Sequence, residues 1–486
     1  VIPSVDVENI VDLIDKKPSL AYSMAFVASR LIPGCISVHR KLVPYIVQLC
    51  QGRLEACEQS EANNWICLQA LSVIYAYLQV PAMTGSSFGS MLNSKEYLSH
   101  GALKSTVEAM AMQLQLHRSI DELQTMMQIN ESSIWSTETY HRCVYWVWLY
   151  IMSRHYSVLT RTPPSIQNDS TMRRSLIVLK ALNPGSHVRQ ILAEAELYAI
   201  WDQAALSSNG LAEWWCSPVF PSNLETEIAC MQRIDVMLDA WHSTWLSGVP
   251  ETDSAGLEPA ASLIVEFLYH LVRFHIHSFA SVLASYQVIP KSPCAPWSTG
   301  ASEQQLPALA GSIIKSADAA CGLCDLLIRL KPSELECVRY IPEFGFTMIT
   351  LCCLYIIHAY EVLSGYPLLM NHMSKVEKTS KLMTEIALGP NQLSKLYGEF
   401  VMSRLQRAME ETPSLTGGST SQVMYANGNG PSEVETSNYS VNGFWPADYS
   451  DTTGLDVMEN MLLHVPFFPG INSQSQEGGD AAIYPI

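Results

Sequence analysis

The chain has 486 residues, 48% of them apolar and only 15% charged, with 29 Lys plus Arg against 46 Asp plus Glu. A charged share below the roughly 25% usual in globular proteins, with this much apolar sequence, excludes a wholly disordered or collagen-like polymer. The net charge of −17 has the wrong sign for coating nucleic acid unaided, but ten of those acids fall between Glu410 and Ile486, where there is no Lys or Arg, leaving the first 409 residues at −7.

Along those 409 residues apolar side chains recur at three- and four-residue intervals, and alternating β-branched runs are almost absent, which predicts an all-α fold. Helices are expected over residues 20–33, 38–57, 62–80, 98–116, 132–159, 188–206, 223–247, 258–286, 303–330, 338–364, 371–387 and 391–410. Pro18-Ser19 opens the first, Pro81 follows the third, Ser302 and Gln305 form a capping box, and Gly389-Pro390 separates the last two. Short connections make sequence neighbours antiparallel packing partners. Three stretches interrupt the pattern: a Gly/Ser-rich segment at 82–96, a Pro-, Ser- and Arg-rich segment at 160–187, and a Pro-rich loop or linker at 287–302. From Thr412 onward Ser, Thr, Asn and Gly dominate, and such a segment cannot bury enough apolar surface to offset its ordering entropy. The expected organisation is one large multi-helix domain over 1–409 and a disordered acidic tail over 410–486.

The 13 cysteines are odd in number and lie mostly within apolar stretches, where a free thiol behaves as a small hydrophobe, so a reducing compartment is expected. Val1 stands inside what reads as ordered sequence, so a preceding segment is expected to have been removed. Phe344 to Tyr360 is an uncharged apolar run of 17 residues, at the lower limit for a membrane span; it stands alone, lacks flanking Lys or Arg and contains His358. It reads as a buried central helix, with no membrane involved.

Chemical motifs are weak. Gly85-Ser-Ser-Phe-Gly89 matches the nucleophile elbow of hydrolases only formally, because a helix rather than a strand precedes it. Cys321-Gly-Leu-Cys324 has redox or zinc spacing but lies in a helical stretch without a second pair. His275 and His277, two apart on a helix, point to different sides. Metalloprotease, phosphate-loop and dinucleotide patterns do not occur. The chain therefore reads as a non-enzyme, with no catalytic residue, no metal ligand and no cofactor assigned.

The most informative segment runs from Tyr140 to Ile166. Within one helix, Arg142, Trp146, Tyr150 and Arg154 are spaced by four, so guanidinium groups and rings can stack along a seam, and Arg161 with Pro163 and Pro164 follows directly. This segment resembles the fungal-specific transcription factor domain, the middle homology region of binuclear zinc-cluster regulators, in which an Arg-Trp helix leads to an Asp-Arg pair, a Gly-Arg-Pro turn and an Ile. Arg142, Trp146, Arg154, Arg161 and Ile166 match. Ser153 stands where Asp is usual, Thr160 and Thr162 replace Gly and Pro, and Pro163 comes one place late. Further segments match in family order: Pro18 to Ala28, Leu68-Gln69-Ala70-Leu71 with Tyr75 and Tyr77, Ala109 to Arg118, Leu238 to Trp245, Tyr269-His270, Ala317 to Cys321 and Tyr340-Ile341-Pro342. The resemblance spans about residues 10–405.

The resemblance implies that 1–409 is a regulatory domain of a nuclear transcription regulator, an activator of a metabolic or secondary-metabolite pathway, possessing a possible small-molecule effector. It also implies a homodimer in the full-length protein and DNA contact through an N-terminal six-cysteine zinc cluster. That cluster is absent from this chain, so zinc is expected only if it lies upstream of Val1. In the tail, Phe444, Trp445, Asp448, Tyr449, Leu455, Met458, Leu462, Leu463, Phe467 and Phe468 place bulky apolar groups among acids, the pattern of an activation segment that recruits transcription machinery. The alternative is a helical-pocket enzyme or ligand-binding protein that uses the same fold without DNA.

Overall fold

The structure, a computed structural model, describes residues 10–51, 61–77, 100–129, 133–160, 162–206, 224–246, 259–288, 305–363, 367–389 and 392–411. The described residues form sixteen α-helices and two short 3-10 turns with no strand, so the fold is all-α. The 82–96 segment with its Gly85–Gly89 motif, Pro81, Arg161, Ser302, Pro390 and the tail from Thr412, including every activation-segment residue named above, lie outside the described residues.

The first half comprises α1 (Ile10–Lys16), α2 (Pro18–Leu31), α3 (Ile36–Cys50), α4 (Glu61–Tyr77), α5 (His100–Gln113), α6 (Ser119–Ile129), α7 (Glu138–Thr160), α8 (Ser170–Ala181) and α9 (Ser186–Ala205). The second comprises α10 (Leu224–Trp245), α11 (Pro259–Val288), α12 (Gln305–Ile328), α13 (Pro332–Val338), α14 (Glu343–Val362), α15 (Pro367–Glu385) and α16 (Leu393–Glu411). Pro at the first position starts α2 and α13, where its missing N–H costs nothing. At the start of α7, Thr137 Oγ1 accepts from Tyr140 N at 3.3 Å, one of the orphan donors of a helix end.

Helix α8 corrects the expectation of an irregular segment over 160–187. Its cap is Asp169, whose carboxylate accepts from Met172 N at 2.9 Å and from Thr171 Oγ1 at 2.7 Å. Met172, Leu176 and Leu179 then fall on one buried stripe, while Arg173 and Arg174 occupy the outer face. The polar composition belongs to that outer face. Helices α1, α6 and α13 are also additional to the expected set, because short helices supply too few turns for a periodic signal.

Packing follows a chain of neighbours. Helix α7 packs on α6, α8 and α9; α9 reaches α10 and α11; α11 packs along α12; and α12 meets α14 and α15, which are closed by α16. Helix α14 is apolar nearly all round because it is enclosed nearly all round. It is the one described helix long and apolar enough to cross a membrane, and 89% of that stretch is buried inside the fold. Its hydroxyls turn inward on their own helix, Thr347 Oγ1 donating to Glu343 O at 3.1 Å and Thr350 Oγ1 to Phe346 O at 2.9 Å.

The α15–α16 crossing depends on one glycine. Ser380 Oγ donates to Gly398 O at 2.6 Å, and a Cβ on Gly398 would come to 2.7 Å from the Ser380 carbonyl oxygen and 2.6 Å from Thr384 Oγ1. Backbone cannot swing aside as a side chain can. Gly398→Ala is therefore expected to destabilise by about 1–3 kcal/mol, the range for overpacked helix contacts, seen as a lower midpoint in a thermal melt followed by circular dichroism.

Candidate functional site

The Tyr140–Thr160 helix divides the residues that four-residue spacing put on one seam. Arg142 is half-buried and pairs with Glu138 one turn earlier, Nη2 to Oε1 at 2.8 Å. Trp146 is buried with its ring centroid 6.0 Å from His117, and its Nε1 has no hydrogen-bond acceptor among the described residues. Tyr150 and Arg154 do meet. The Arg154 guanidinium carbon lies 5.2 Å from the centre of the Tyr150 ring, and both side chains converge on Asp202 of α9. Arg154 Nη2 is 2.7 Å from each Asp202 oxygen, and Tyr150 Oη donates to Oδ2 at 2.7 Å. Burial raises the Asp202 carboxyl above its ordinary range against the opposing pull of Arg154 and Tyr150. Burial also holds the Tyr150 hydroxyl far up, so it donates as a neutral phenol.

Asp202 was not legible as the partner, because nothing local in its helix marks it. The carboxylate that answers Arg154 comes from 48 residues further along the chain. Ser153 instead holds the turn that follows its helix. Its Oγ accepts from Ser165 N at 3.0 Å and Ile166 N at 3.1 Å and bonds Ser165 Oγ at 3.0 Å. Ser165 Oγ also donates to Glu108 Oε1 at 2.5 Å and accepts from Lys104 Nζ at 2.7 Å, which ties the turn after α7 to α5. Small hydroxyls here pin a turn rather than carry charge.

The α9 side of the contact is a polar ladder. Gln190, Glu194, Tyr198 and Asp202 are spaced by four and face α7, where the His155 ring meets Tyr198 edge-on at 5.8 Å. At its upper end the ladder opens into a cavity of about 660 Å³ between α4, α7, α9, α11, α12, α13 and the start of α14. That volume suits a drug-sized molecule. Its walls are largely apolar, with Trp148, Phe267, Leu268 and Phe344 among them, and the polar exceptions include His155, Gln190 and Glu194. His155 stacks on Phe344 with centroids 4.1 Å apart and planes at 15°, and its Nε2 is sealed from water without a described partner. Desolvation drops the His155 ring to about 3 and lifts the Glu194 carboxyl to about 7, so both favour the neutral form.

The remaining candidates are packing features. Gly322, inside the Cys321–Cys324 motif, lets α12 approach α11, since a Cβ there would lie 2.5 Å from His270 Nδ1. Cys324 Sγ sits 3.9 Å from Cys353 Sγ, both thiols buried. No group of three or more metal-ligating side chains occurs among the described residues. His277 bonds Asp235 at 2.9 Å, whereas His275 packs against Trp201 at 4.9 Å, on different sides of α11. No family model, curated protein or solved structure matches the chain.

Breaking the α7–α9 pair strands a charge. Asp202→Asn should cost about 3 kcal/mol by leaving the Arg154 guanidinium uncompensated, whereas Arg154→Met with Asp202→Leu should recover most of that loss, as read from denaturant midpoints. Acid sensitivity has a defined sign. His155, His275, His187 and His358 are held near 3, 3, 4 and 4, chiefly by desolvation, against 6.5 when unfolded. Below about pH 6.5 the unfolded chain gains protons on these four rings that the native fold refuses, and stability falls. Glu194 works oppositely between about 7 and its ordinary 4.5, but supplies one proton against four. The melting temperature should therefore drop between pH 7 and pH 5, and drop less in His155→Phe.

Proposed function

We propose that the chain is a transcription regulator of the fungal zinc-cluster type, with residues 1–409 as a ligand-sensing helical domain and residues 410–486 as its activation segment. The observation that carries the sensing part is the cavity of about 660 Å³ walled by seven helices from both halves of the fold. A molecule filling it touches α7 and α9 on one side and α11, α12 and α14 on the other. Occupancy is thereby coupled to how the halves sit against each other, which is the differential contact a switch requires. The resemblance along residues 10–405 and the tail composition support the transcriptional part. In this reading the zinc cluster that contacts DNA precedes Val1, the full-length protein is a nuclear homodimer, and no cofactor resides in this chain.

A second reading, an enzyme working in the same pocket, is favoured by one observation. Glu194, a carboxyl buried on the wall of an apolar cavity and raised by desolvation, is also what a general acid or base requires. Turnover of a bound molecule, as opposed to a thermal shift alone, selects that reading.

Residues 410–486 fused to a heterologous DNA-binding domain should activate a reporter. Replacing Trp445, Leu462 and Leu463 by Ala should abolish activation while expression is unchanged. An inactive parent fusion overturns the activator assignment.

A further inference from the structure

No Lys or Arg occurs among the described residues lining the cavity, whereas Glu194, Glu334 and Glu343 do line it. Two of these carboxylates have partners that account for them. Glu334 caps α13, accepting from Lys331 N at 2.8 Å. Glu343 lies within the field of Arg30, whose guanidinium donates to Tyr77 O at 3.0 Å, and beside the Tyr397 hydroxyl. Glu194 is different: it is buried on α9, and its one hydrogen bond among the described groups comes from a neutral amide, Gln190 Nε2 at 2.8 Å. Trp148, Tyr156, Phe267 and Phe344 contribute rings to the cavity walls, one face of Phe344 being covered by His155 and one of Tyr156 by Lys104.

This chemistry sorts ligands by charge. An anionic molecule would meet a buried carboxyl with no Lys or Arg among the described lining residues to pair with. A neutral apolar molecule would fill the volume but add no charge partner. An ammonium group would pair with Glu194 and draw its proton off, and rings in the wall attract cations through their faces. The geometry points to a lipophilic amine as the ligand of this cavity, its ammonium against Glu194 and its apolar body along the aromatic and aliphatic walls. The inference rests on the cavity being a ligand site.

The test uses the full chain and three probes with one tail: dodecylamine, dodecanol and dodecanoate, each followed by calorimetry and thermal shift. Dodecylamine should bind about tenfold or more tighter than dodecanol, with dodecanoate weakest, as expected for a charge pair in a desolvated site. Glu194→Gln, nearly isosteric, should bring the amine to within about twofold of the alcohol and leave the alcohol unchanged. Dodecanoate binding as tightly as the amine, or an amine advantage that survives Glu194→Gln, overturns the inference. Equal binding of all three overturns the amine class and leaves the cavity as a ligand site. Binding of none overturns both. Should Glu194→Gln fail to fold, the ranking of the three probes on the unaltered chain still decides.

Discussion

The contact on which the rest of the molecule depends is the ion pair between Arg154 and Asp202, with the Tyr150 hydroxyl as third member. It joins α7 to α9, and α9 is the helix through which the first half of the fold reaches α10 and α11. A pair largely withdrawn from water gains little net stability, because desolvating two charges offsets much of their attraction. Its value lies in the register it imposes. The carboxylate accepts from both Arg154 and Tyr150 only when the helices meet at one rotation and one height, and a slip of a single turn would strand the guanidinium.

That register is what builds the cavity. With Asp202 fixed against α7, Tyr198, Glu194 and Gln190 are carried along the same face of α9 toward Trp148 and His155. The polar ladder thus runs from a satisfied ion pair at one end to a carboxyl inside an apolar chamber at the other. Several buried polar groups elsewhere in the fold find neighbours. Thr347 and Thr350 bond their own helix, Ser380 bonds across to α16, and His372 bonds Asp318 at 2.8 Å. On the cavity wall lie a carboxyl whose described hydrogen bond comes from an amide and a ring nitrogen with no described partner.

The cysteines illustrate how spacing misleads when packing is unseen. Cys321 and Cys324 have the interval of a metal or redox pair, yet the thiol that Cys324 meets is Cys353 on α14. In a dry core thiols behave as small apolar groups, and the glycine between the pair serves the approach of α11. The same holds for the Pro- and Arg-rich stretch after α7. Its composition reads as a loop, but one capping aspartate and four inward apolar residues accompany α8.

The sequence by itself determined the all-α class, the positions of the long helices, the burial expected of the Phe344–Tyr360 run and the separation of an acidic tail from a mildly acidic body. Those properties follow from periodicity and charge, which are local and additive along the chain. It also marked Tyr150 and Arg154, but grouped them with Arg142 and Trp146, because spacing by four does not say which residues share a partner. Only the tertiary structure decided that Asp202 answers Arg154, that Ser153 pins a turn, and that Glu194 and His155 face a common chamber. These facts join residues tens of positions apart through the packing of α7 on α9. Contacts at that range leave no periodic trace in the order of residues.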